Sequence, residues 1–67
     1  MTEADAKKEI NAMGPKIREA LRRGGPREMM RVSAQLAPRL RELRPYLRGA
    51  DQRNIDRILN AVDLGGF

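Results

Sequence analysis

Thr2, Ser33 and Tyr46 carry the only side-chain hydroxyl groups in a chain with no cysteine and no histidine. A hydroxyl becomes a useful nucleophile only beside a general base or a metal. Ser33 falls in the middle of a helical stretch with no base close in sequence, so its hydroxyl is read as solvated or bonded back onto its own helix. Zinc would have carboxylate ligands only, which is disfavoured. Gly24-Gly25 lacks the surroundings of a phosphate-cradling loop and fits a turn. The nine carboxylates mostly stand three or four residues from a basic side chain. Glu3/Lys7, Asp5/Lys8, Glu19/Arg23, Glu28/Arg31, Arg39/Glu42 and Arg53/Asp56 are such pairs, worth a few tenths of a kcal/mol each and suited to a solvated helix surface. The expectation is a protein that is not an enzyme and that uses no cofactor, no metal and no small-molecule substrate.

Binding chemistry is better represented. Arg41, Arg44 and Arg48 recur at three- and four-residue spacing on one flank of a helical stretch, with Arg27 near the same side a few turns earlier. The other flank carries Glu28, Gln35, Glu42 and Tyr46. A row of guanidinium groups suits phosphates or carboxylates. The same row also suits a charge-sorted flank that pairs with a neighbouring helix, as flanking positions do in coiled coils. Met30 points away from the apolar seam towards the basic flank, and Phe67 ends the chain; both are candidate partner contacts, with packing inside the chain as the alternative.

The elements that position these residues are helical. Thr2-Glu3-Ala4-Asp5 has the form of a capping box with Asp in the third position. Ala6, Ile10, Met13, Ile17 and Leu21 then keep one apolar face, which predicts helix 1 over residues 3–23, broken or kinked at Gly14-Pro15. Gly24-Gly25-Pro26 is a stop followed by a start, and so short a turn makes its flanking helices antiparallel neighbours. Met29, Val32, Leu36, Leu40, Leu43 and Leu47 fall within an arc of roughly 80° at about 100° per residue, predicting helix 2 over 26–48 with kinks at Pro38 and Pro45 turned outward. Gly49 is a natural stop. Asp51 is a candidate N-cap for helix 3 over 51–63, which carries Ile55, Ile58, Leu59 and Val62. Residues 64–67 form a tail. The expected fold is therefore all-α, one domain over 1–67: a small three-helix bundle, or a helical hairpin plus a third helix, with a long proline-kinked central helix.

A core in a 67-residue chain stabilises by no more than about 3–5 kcal/mol, and disulfides are excluded. Tight helix packing or self-association must supply the rest. The net charge is +5, and eleven of the fourteen basic residues are arginine; such a surface favours polyanions or acidic protein surfaces, although a GC-rich genome produces the same arginine bias. No basic segment followed by an apolar run begins the chain, and no apolar run approaches the roughly 20 residues that span a bilayer, so a cytoplasmic location is expected. Two functions follow. The first is a protein-interaction module (adaptor, regulator or assembly protein) that binds itself as a homo-oligomer or binds a protein partner. The second is a small nucleic-acid-binding regulator using the arginine row, disfavoured by the near absence of aromatic groups for stacking. A membrane-surface role is weaker still, since the apolar arcs are narrow, proline-interrupted and without tryptophan.

Overall fold

The computed structural model describes residues 1–66, and all regular structure among them is helical: α1 (Glu3–Leu43), a 3-10 turn (Arg44–Tyr46) and α2 (Gly49–Leu64). The capping box forms as read. The Thr2 hydroxyl accepts from the Asp5 N–H at 3.2 Å, and the Asp5 carboxylate accepts from the Thr2 N–H at 3.2 Å. The predicted Asp5/Lys8 pair does not form, because that carboxylate is held in the cap.

A straight helix of 41 residues would be about 62 Å long, yet the longest extent of the molecule is 33 Å. Gly25 explains the difference. Its φ of 73° and ψ of −166° lie in a region that only glycine occupies without strain, and it is the one non-helical residue inside α1. Pro26 favours this break, because the residue before a proline is pushed out of the helical region. Gly24 is required for space: a Cβ there would lie 2.5 Å from the Glu28 Cβ. Two arms result, residues 3–24 and residues 26–43, folded back on one another. Arg39 reaches across to Glu9 in a bidentate ion pair, one of whose bonds is 2.8 Å.

The expected three separate helices are thus corrected to two, the first bent at Gly25. The break expected at Gly14-Pro15 is also corrected. α1 keeps helical backbone angles through Pro15 and Pro38, because Pro15, Pro38 and the residues one turn before them, Asn11 and Ala34, all face solvent. Water can take up the freed carbonyls there. Helix 2 does not continue to Arg48. Pro45 has no N–H to extend the ladder, and the chain tightens into the 3-10 turn and becomes extended at Leu47 (φ −113°, ψ 154°). Asp51 is not the N-cap of α2. The helix begins at Gly49 with Arg48 in the cap position, and Asp51 lies in the first turn, where its charge still suits the dipole. At the other end Leu64 belongs to α2, and the N–H groups of Gly65 and Gly66 close the helix on the carbonyls of Val62 (3.2 Å) and Ala61 (3.0 Å). Phe67 lies outside the described residues.

The core gathers Ala6, Met13, Leu40, Leu43, Leu47 and Ile55, with Ile10, Leu36, Ile58 and Leu59 packed against it. Both arms and α2 contribute. Towards the bend the buried face differs from the aliphatic seam. Ala20, Ser33 and Ala37 are buried, whereas Ile17, Met29, Val32 and Leu36 are half-buried and Leu21 is exposed. Near the bend a single residue joins the arms, so small side chains face the partner arm and larger ones move to the flanks. Ser33 is therefore neither solvated nor bonded back: it is 0 % exposed and, among the described residues, its Oγ has no hydrogen-bond partner. A buried hydroxyl left unpaired costs roughly 1–3 kcal/mol. Ser33→Ala, which removes it with little change of volume, is expected to raise stability by about 1 kcal/mol, read as a higher urea midpoint with an unchanged slope; a lower midpoint would show that the hydroxyl is satisfied in solution.

Candidate functional site

The predicted arginine row is not brought together as one surface. Arg44 donates to Asp56 through Nε (2.6 Å) and Nη2 (3.3 Å), and Arg41 Nη2 donates to Asp63 at 3.3 Å. Both arginines thus bridge to α2, and Asp56 is taken from its predicted partner Arg53. Arg48 lies beyond the 3-10 turn in extended backbone (φ −139°, ψ 163°) and is exposed. Arg27 stands in the first turn after the bend, at the other end of the arm. Met30 is half-buried near the bend.

What the fold does assemble is the hairpin tip. Residues 14–32 carry six of the fourteen basic side chains and two of the nine acidic ones, a net +4 of the chain's +5. Folding at Gly25 places Lys16, Arg23, Arg27 and Arg31 around one open groove of about 660 Å³, which Ala20 and Val32 also line. No residue of α2 lines it. The two tip carboxylates are held by neighbours: Glu19 accepts from Arg22 and Arg23 (2.9 and 2.8 Å to the two Nε atoms), and Glu28 from Arg31 (Nε, 2.9 Å). Among the described residues Lys16, Arg18 and Arg27 have no ion-pair partner within 4.0 Å. Helix-by-helix reading misses this cluster. The available signal was the run of basic residues on both sides of Gly24-Gly25-Pro26, which an antiparallel turn must superpose.

These ion pairs set the acid response. Hydrogen bonds from Arg39 hold the Glu9 carboxyl below the usual range, as Arg22 does for Glu19, Arg31 for Glu28 and Arg44 for Asp56. A carboxyl whose pKa is lower folded than unfolded stabilises the fold above its unfolded pKa and loses that contribution as pH falls through the folded one. Glu19 and Glu28 pair within one arm, but Glu9–Arg39 and Asp56–Arg44 join separate segments. The urea midpoint is therefore expected to be level near neutral pH and to fall below about pH 4. Glu9→Gln should lower the neutral midpoint slightly and reduce the fall in acid; an identical acid limb in the variant would show that this bridge does not form.

A second, smaller groove of about 370 Å³ lies between the first arm and α2, lined by apolar Met13, Ile17, Leu40 and Ile58 and by charged Arg18, Asp51 and Arg57 among others. Among the described residues no three side chains of the His, Cys, Asp or Glu types cluster as a metal site, and no helix is long and apolar enough to cross a membrane. Set against protein-family models, characterised proteins and solved structures, this all-helical chain matches none.

Proposed function

We propose that this chain is a small helical protein-interaction module, an adaptor, regulator or assembly protein, that self-associates and presents its hairpin tip to a protein partner. The observation that carries this reading is the tip groove: carbon surface from Ala20 and Val32 inside a charged rim, formed by α1 alone and left uncovered by α2. Leu21, Tyr46 and Leu64 add exposed apolar surface at 42 %, 43 % and 85 %, which a second copy would cover. Contact surfaces of this kind have an apolar centre and a polar rim. The arginine row gives the nucleic-acid reading less support, since the charges of Arg41 and Arg44 are balanced locally by α2; the positive tip is the surface that a polyanion would use instead.

The test is affinity purification of the tagged chain from its native cells, with and without nuclease, together with sedimentation equilibrium of the pure chain. The proposal expects a protein recovered in fixed ratio after nuclease treatment and an apparent mass that rises with concentration. Recovery that disappears with nuclease would replace it with the nucleic-acid reading. A strict monomer at all concentrations would remove self-association.

A further inference from the structure

The bend does more than reverse the chain: it concentrates charge. Six basic side chains and two acidic ones share the tip, while the remaining eight and seven nearly cancel over the rest of the molecule. Charges dispersed along a straight helix would be screened from one another beyond a Debye length of about 8 Å. Brought together on facing arms, they act as one field that draws in anions.

Three observations narrow the class of anion. First, the groove offers carbon as well as charge. Ala20 and Val32 line it between the charged side chains. A phosphate chain makes no use of such surface. Secondly, Glu19 and Glu28 stand on opposite walls and occupy Arg23 and Arg31, leaving Lys16 and Arg27 as separate point contacts instead of a continuous cationic track. A nucleic-acid backbone requires the track; carboxylates spaced by apolar residues require only the points. Thirdly, the one aromatic side chain among the described residues, Tyr46, belongs to the 3-10 turn at the far end of the second arm, so no base could stack at the tip.

We infer that the tip groove docks an acidic, amphipathic segment of a partner protein, its apolar residues against Ala20 and Val32 and its carboxylates on Lys16 and Arg27. This rests on the protein-interaction reading and names the chemistry of the partner.

Fluorescence anisotropy with the full chain tests it. The probes are a labelled synthetic peptide with leucines on one helical face and glutamates on the other, a scrambled peptide of the same composition, and a labelled DNA duplex. The paired variants are Lys16→Glu/Arg27→Glu at the tip and Arg48→Glu/Arg53→Glu away from it; all four side chains are exposed and none makes an ion pair among the described residues. Near 0.15 M salt the amphipathic peptide should bind at least about fivefold more tightly than the scrambled one. The tip variant should lose about tenfold or more, and the distal variant less than about twofold. Val32→Thr, nearly the same size but polar, should weaken the preference over the scrambled peptide while the protein's melting curve is retained.

Three results would overturn the inference: duplex bound more tightly than the amphipathic peptide, with that binding lost in the tip variant; equal losses in tip and distal variants; or no peptide binding. A nuclease-resistant partner recovered from cells alongside any of these would leave the interaction reading standing and remove only the acidic segment. The absence of such a partner would remove both.

Discussion

Leu43→Ala is expected to remove most of the chain's stability at room temperature, whereas Leu64→Ala should change stability by less than about 0.5 kcal/mol. The contrast comes from position alone. Leu43 is 0 % exposed, at the end of the second arm, in the cluster that joins Ala6 and Met13 of the first arm to Ile55 of α2. Leu64 is 85 % exposed in the last turn of α2. Truncating a buried leucine removes its transfer free energy and leaves a cavity, together about 2–5 kcal/mol. A domain of this size has roughly 3–5 kcal/mol in all, so one such cavity consumes most of it. Urea titration followed by circular dichroism separates the two variants. A Leu43→Ala midpoint close to that of the parent would mean that the arms and α2 do not share one core.

The second large effect is at Gly25. A residue with a Cβ held at φ 73°, ψ −166° carries strain of about 1–3 kcal/mol, and it can escape only by becoming helical, which straightens α1 and separates the arms. Gly25→Ala is therefore expected to lower the melting temperature by several degrees or more and to increase apparent size on gel filtration, as the apolar faces of opened hairpins find one another. The mirror-image residue makes a sharp control. For a D-alanine this backbone geometry is the equivalent of ordinary polyproline conformation in an L-residue, so a synthetic chain with D-alanine at position 25 should melt like the parent or slightly higher. Equal damage from both alanines would assign the effect to crowding at the bend, where the Cβ meets no neighbouring atom within 4 Å, and would contradict the bend geometry.

Much of this architecture is legible in the residues. Thr2 and Asp5 announce the first cap, Gly24-Gly25-Pro26 the reversal, and Leu40, Leu43, Leu47 and Ile55 the core, because each signal is local or carried by large aliphatic side chains. Four of the six anticipated ion pairs form. The other two fail because another group claims the carboxylate: the Thr2 N–H of the local cap takes Asp5, and Arg44, from across the fold, takes Asp56. The arginine row is drawn on a helix extended past Pro45; ending that helix at Leu43 detaches Arg48 from Arg41 and Arg44. The inward turn of Ala20, Ser33 and Ala37 escapes a periodicity that weighs aliphatic bulk, since how closely two arms approach is decided by their packing and not by either arm alone. The tip cluster needs one step more, which is to add charges across the turn instead of along each helix.

Everything proposed for the tip depends on α1 folding back at Gly25. Spin labels at Ala4 and Glu42, both exposed, measure this directly by pulsed dipolar spectroscopy. Packed arms have axes about 8–10 Å apart, so with the label linkers a single distance distribution below about 30 Å is expected. A continuous helix would separate the two sites by about 57 Å, and a distribution centred there would contradict the hairpin and the site built on it.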